Sequence, residues 1–197
     1  MADGGSVRAE RRPLDAYYTP PELAAACMTW LVRDGFYRGG SVLEPSCGMG
    51  AFIAAARPYL SSMSEIDAVD IDNAHVTHAH LAGASSFKCC DFLEFSGGPK
   101  AWDLILGNPP FNGAEAHVRH ALDLRSGWGS VAFLLRLAFL ESKERAGFWR
   151  ENEASKVYVF SQRPSFTGGG TDSAAYGLFV WQRGRTRPTE LEVVSWK

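Results

Sequence analysis

The chain has 197 residues, 46% hydrophobic and 21% charged, with a net charge of −2, which suits one globular core without low-complexity tracts or repeats, ordered except at its ends, and excludes a uniformly basic chain. The charge is uneven: residues 1–110 carry 8 Lys+Arg against 13 Asp+Glu and residues 111–197 carry 12 against 9, so the C-terminal half is the better candidate for meeting phosphates. Cys27, Cys47, Cys89 and Cys90 have neither metal-ligand spacing nor disulfide-scaffold density, no run of about eighteen apolar residues occurs, and Met1 to Ser6 lacks a secretory layout, so reduced thiols, a cytoplasmic location and no membrane contact are expected.

Residues 1–14, with Gly4, Gly5, Arg8, Arg11 and Arg12, read as a flexible basic arm ahead of a single domain over 15–197. Thr19 is placed as an N-cap, with Pro20 in the first turn and Glu22 three residues on. The helix is expected to run to about Arg33 and bury Leu23, Cys27, Trp30 and Leu31. It leaves Tyr17 and Tyr18, just outside it, unexplained.

Ser41 to Glu44 reads as the first strand, and Pro45-Ser46-Cys47-Gly48-Met49-Gly50 leads from it into a helix. Gly48 and Gly50 remove Cβ atoms so that the backbone can approach a ligand, while the helix start offers N–H groups to a carboxylate. The acid at Glu44 favours a cationic or amine-bearing ligand over a pyrophosphate. The second strand is Ile66 to Ile71, and Asp70, 20 residues after Gly50, has the spacing at which an acid grips ribose hydroxyls, with Asp72 as the alternative. His75, His78 and His80 follow on a stretch read as a helix, where exposed side chains and no metal are expected.

Phe87 to Phe92 forms the third strand and its turn, and Trp102 to Leu106 the fourth. The fourth runs into Gly107-Asn108-Pro109-Pro110-Phe111, whose two prolines have fixed φ and no N–H, leaving their carbonyls free to accept from a substrate. Asn108 adds a side-chain acceptor and Phe111 an aromatic face, a pairing suited to a planar ring with an exocyclic amine. Residues 112–125 read as a helix with Ala116, Val118, Ala121 and Leu122 inward, broken by Gly127-Trp128-Gly129. Val131 to Leu140 reads as strand five, Glu141 to Glu153 as a solvated helix, and Val157–Phe160 and Tyr176–Trp181 as the last core strands. Leu191 to Trp196 is a candidate edge strand. The loop Ser161 to Asp172 is long for a hairpin, and Arg163 in it is a candidate phosphate contact.

Taken together, Tyr18-Thr19-Pro20-Pro21-Glu22, the Pro45 to Gly50 loop and Asn108-Pro109-Pro110-Phe111 resemble the S-adenosylmethionine-dependent amino-methyltransferases, most closely the N6-adenine methyltransferases of DNA. The resemblance covers about residues 15–182 and implies a Rossmann-like α/β fold: seven strands, mostly parallel with one antiparallel, and helices on both faces. It implies that S-adenosylmethionine is held by Tyr18, Thr19, Pro20, Glu44, Pro45, Cys47, Gly48, Gly50, Asp70, Ile71, Asp91, Phe92 and Asn108. Asp91 then meets the amino group of the cofactor's adenine and Phe92 its ring. Asn108, Pro109, Pro110 and Phe111 become the catalytic turn, and Phe166 joins Phe111 and Arg163 in binding substrate. Similar turns occur in methyltransferases acting on RNA and on protein glutamine, and a cofactor-binding subunit of a larger complex remains a third reading. Only residues 182–197 follow Trp181, so the expectation is a relaxed DNA recognition sequence, or one supplied by a specificity subunit or a homodimer.

Overall fold

In the computed structural model, which describes residues 17–166, 172–184 and 187–197, apolar runs pair into one sheet whose order places the candidate residues at its strand ends. The strands are β1 (Val42–Pro45), β2 (Ile66–Asp70), β3 (Ser86–Cys89), β4 (Trp102–Gly107), β5 (Arg125–Arg136), β6 (Lys156–Phe160), β7 (Tyr176–Gln182) and β8 (Glu190–Val194). They lie in the order β3-β2-β1-β4-β5-β7-β6-β8, and β7 alone runs antiparallel, to both β5 and β6. The sheet therefore has eight strands and not the expected seven: the candidate edge strand is real and joins β6 in parallel, Val157 opposite Leu191.

Residues of β1, β4 and β5 are buried on both faces, as strands covered by two helical layers must be. Val42, Leu104, Ala132 and Leu134 point to a core shared with α1 (Pro21–Arg33) and α2 (Ala51–Ala56), and with Ala79 of α3 (Val76–Ala82). Leu43, Ile105, Val131 and Phe133 point the other way, to α4 (Ala114–Leu124) and Phe148 of α5 (Ala146–Glu151). Two buried charges are balanced by partners. Asp67 accepts from Trp102 Nε1 at 2.7 Å and Ser86 Oγ at 2.6 Å and pairs with Lys100. Lys156, on β6, meets Asp34 at 2.7 Å, Glu190 at 2.9 Å and Glu192 at 2.7 Å, tying β8 to the end of α1.

Several local expectations are corrected. Thr19 does not cap α1: Pro20 is the N-cap residue, and its carbonyl accepts from Leu23 and Ala24 N–H at 3.1 Å, a bond its missing donor does not hinder. Strand five begins at Arg125 and includes Gly127-Trp128-Gly129, because a register shift against β4 between Trp102 and Leu104 accommodates the extra residues. Residues 137–140 form a 3-10 turn, and the long helix expected over 141–153 shrinks to α5, which buries Phe148. On α4 the inward residues are Ala114, His117, Val118 and Ala121, while Ala116 is exposed. The basic arm over 1–14, with Arg8, Arg11 and Arg12, and Gly168 to Gly170 lie outside the described residues. Among the described residues no helix is long and apolar enough to cross a membrane, and no His/Cys/Asp/Glu group is arranged to hold a metal.

Candidate active site

The C-terminal ends of β1, β2 and β4 and the turn after β3 surround a cavity of about 580 Å³, lined by Tyr17, Tyr18, Gly48, Asp70, Ile71, Asp72, His75, Asp91, Phe92, Asn108, Pro110 and His117 among others. That is where ligands of open parallel sheets bind. Among the described residues its walls hold three carboxylates and no Lys or Arg, so the chemistry suits hydroxyls, amines or a cation and disfavours phosphate.

Asp70 ends β2. Its Oδ2 accepts from Gly48 N–H at 2.7 Å and its Oδ1 from Asp72 N–H at 2.9 Å, and His75 Nδ1 lies 3.1 Å from Oδ1. It thus ties the glycine loop to the end of β2 while still facing the cavity with the remaining lone pairs of its oxygens. Gly48 and Gly50 have φ of 50° and 77°, a left-handed region open to glycine at no cost. A Cβ on Gly50 would lie 2.7 Å from Ala82 Cβ, so this glycine serves the packing of α2 on α3. Asp91 takes Leu93 N–H on one oxygen at 2.9 Å, and Phe92 is buried beside His117.

Glu44 departs from expectation. It is 3% exposed and its carboxylate accepts Ile53 N–H at 3.0 Å, capping α2 from behind the glycine loop. Burial, with the charge of Asp70 adding to it, pushes its carboxyl well above the ordinary value. Together with Cys47 it borders a void of about 30 Å³ and does not line the main cavity. Thr19, Pro20 and Gly50 line a neighbouring open depression of about 660 Å³ with Tyr18, and Pro45 sits beneath Gly107, where an added Cβ would meet its carbonyl at 3.1 Å.

The turn after β4 is fixed from outside. Asn108 Nδ2 donates to Tyr17 O at 2.9 Å, which leaves Asn108 Oδ1 buried and without a partner. A buried acceptor left unmade costs about 1–3 kcal/mol, and such an orphan on a cavity wall marks the place where a ligand donor belongs. Phe111 does not stand free: Tyr17 and Tyr176 lie 5.4 Å from its ring, Phe166 lies 6.4 Å away, and the Arg136 guanidinium covers it at 4.6 Å. Phe166 is buried in this aromatic cluster, whereas Arg163 is exposed.

Four residues joined the site without a signal read from the sequence. Tyr17 stood out only as unexplained, and it orients Asn108 through a backbone carbonyl that no side-chain pattern reveals. His75 is buried between Asp70 and Tyr18, whose hydroxyl is 3.3 Å from Nε2, instead of exposed as expected. Arg136 appeared only as an interruption of an apolar strand. His117 is the inward histidine of α4, and its spacing of three from Ala114 was the available sign.

No family model matches the chain. The Type II methyltransferase M.CvrRI of Paramecium bursaria Chlorella virus XZ-6E is 30% identical over 102 residues, 52% of this chain and 26% of that protein. The Type II methyltransferase M.TthHB8I of Thermus thermophilus is 38% identical over 104 residues, 52% of this chain and 22% of that one. The matched part thus spans about a quarter of the length of these relatives. Among solved structures, the type I restriction-modification system methyltransferase subunit from Streptococcus thermophilus superposes with a TM-score of 0.71 at 15% identity, over 86% of this chain and 45% of that one. Such likenesses show the fold, that of a class I S-adenosylmethionine-dependent methyltransferase.

Proposed function

We propose that this chain, having the class I methyltransferase fold, transfers the methyl group of S-adenosylmethionine to the N6 amine of adenine in DNA. The observation that carries the reading is the orphaned Asn108 Oδ1, locked as an acceptor by the Tyr17 carbonyl and set on the wall of the carboxylate-lined cavity. The cavity fits the cofactor by its acceptors: Asp70 and Asp72 for ribose hydroxyls, Asp91 for an amine, with Phe92 for an apolar ring and, among the described residues, no Lys or Arg to oppose a sulfonium. When bound, S-adenosylmethionine supplies an electrophilic methyl group.

An adenine amine is a poor nucleophile because its lone pair is delocalised into the ring. Asn108 Oδ1 accepts one N–H and the Pro109 carbonyl the other, drawing the nitrogen toward tetrahedral geometry and localising the lone pair. No strong base is needed, since the surplus proton becomes acidic as the new C–N bond forms and leaves to solvent. Phe111 holds the base by its face. Arg136 covers that ring in the free chain, so stacking on this face displaces the guanidinium. A base in a duplex cannot reach the cavity and is flipped out at a cost of a few kcal/mol.

The two matched relatives are named Type II methyltransferases, and the Streptococcus thermophilus subunit belongs to a restriction-modification system. Those names support DNA as the polymer and leave room for a partner subunit. Incubation with methyl-labelled S-adenosylmethionine and DNA, RNA or protein, followed by digestion and mass spectrometry, tests the reading. Label in N6-methyl-deoxyadenosine is expected. Label only in cytosine, in ribonucleosides or in glutamine overturns it.

A further inference from the structure

We propose that His117 is a specificity-determining residue of the cofactor cavity, its Nε2 accepting a hydrogen bond from the exocyclic amine of the cofactor's purine and disfavouring a purine with a carbonyl at that position. This rests on reading the cavity as an S-adenosylmethionine site. His117 is 7% exposed and lines the cavity with Asp91, Phe92 and Gly113.

Its Nδ1 lies 3.1 Å from Gly113 O, one helical turn back. A carbonyl only accepts, so Nδ1 carries the proton, and in the neutral ring Nε2 keeps a lone pair. Burial pushes the imidazole below its ordinary pKa, which keeps the ring in that neutral form. With Nδ1 turned onto its own helix, Nε2 is the nitrogen left on the other side of the ring, and no partner meets it among the described residues.

The imidazole lies 5.6 Å from the Phe92 ring, and Asp91 is near enough for its charge to act on it. Two acceptors and an apolar plate therefore meet at one end of the cavity. An exocyclic amine has two N–H groups to divide between two acceptors, whereas a carbonyl oxygen there sets its lone pairs against that of Nε2. His120, three residues on along α4, has no such role: its Nε2 is 2.8 Å from Phe95 O and it stands outside the cavity wall.

The test is calorimetric binding of S-adenosylhomocysteine and S-inosylhomocysteine to the wild-type chain and to His117→Phe, which keeps a ring against Phe92 and removes the acceptor. The wild type is expected to prefer the adenosyl ligand, and the variant to lose about tenfold of that preference. An equal preference in the two proteins, or none in the wild type, overturns the assignment. If the wild type binds neither ligand, the cofactor reading itself fails and the assignment falls with it. Imidazole ¹⁵N NMR of the wild type gives a second measurement that survives a variant that does not fold. Nε2 is expected to be unprotonated at neutral pH and to shift when S-adenosylhomocysteine is added. A protonated Nε2, or a resonance unmoved at saturation, overturns the proposal.

Discussion

Replacing Asn108 by alanine separates stability from turnover, and the structure sets the sign of each effect. The amide makes one hydrogen bond, Nδ2 to Tyr17 O, and leaves Oδ1 buried and unpartnered. Losing the bond costs about 1 kcal/mol, while removing an orphaned acceptor returns about 1–3 kcal/mol of desolvation. The net change in folding stability is therefore expected to lie between neutral and favourable by about 2 kcal/mol, a rise of at most about 8 °C in melting temperature for a chain of this size. Turnover should behave in the opposite way. A preorganised group that acts on the reacting centre contributes about 10²–10³ in kcat, so Asn108→Ala should retain S-adenosylhomocysteine binding yet lose about two to three orders of magnitude in single-turnover methyl transfer. Urea denaturation, calorimetry and quenched-flow transfer on the same preparation provide the three readings. A variant destabilised by more than about 2 kcal/mol would mean that Oδ1 has a partner in the folded chain, and full transfer activity would remove Asn108 from the chemistry.

Gly50→Ala combines a left-handed φ of 77° with a Cβ placed 2.7 Å from Ala82, and should lower stability by about 2–4 kcal/mol in denaturant titration; a change below about 0.5 kcal/mol would contradict the packing of α2 on α3. Lys156→Met leaves Asp34, Glu190 and Glu192 without their shared cation and should cost about 2–4 kcal/mol, with no change in S-adenosylhomocysteine affinity. The same cluster sets a pH dependence. Hydrogen bonding to Arg33, with Lys156 and Tyr158 adding to it, holds the Asp34 carboxyl well below the usual carboxylate range. Its contribution is therefore complete above about pH 4, the unfolded carboxylate value, and lost as pH falls toward the depressed one. Asp34→Asn should flatten that acid limb in urea titrations at stepped pH, and an unaltered limb would exclude the cluster as its source.

Much of the site could be read because it is local in the chain. A Gly-x-Gly turn after an apolar run, an acid 20 residues on and a Pro-Pro turn between Asn108 and Phe111 fix backbone shape through φ restrictions that operate within a few residues. Strand positions for β1, β2, β4, β6 and β7 followed from apolar runs bounded by turn residues, and the right-handed crossover rule then brings the ends of β1, β2 and β4 to one edge. The sequence by itself therefore determined the fold class and which loops meet.

What only the tertiary structure decided is which atoms remain free once the loops have met. Glu44 and Asp91 are both acids at strand ends and each accepts a backbone N–H, but Glu44 is buried behind the glycine loop while Asp91 lines the cavity. His75 and His78 share a helical spacing, yet only His75 is buried, because Asp70 lies beside it. Strand β8 joins the sheet although most of it is exposed, since its carboxylates find Lys156 across the β6 edge. Asn108 becomes a one-sided acceptor through a backbone carbonyl 91 residues away. Hydrogen-bond capacity is a balance over all neighbours in space, and a linear pattern that places a donor or acceptor on a loop cannot tell how much of that capacity the fold has already consumed.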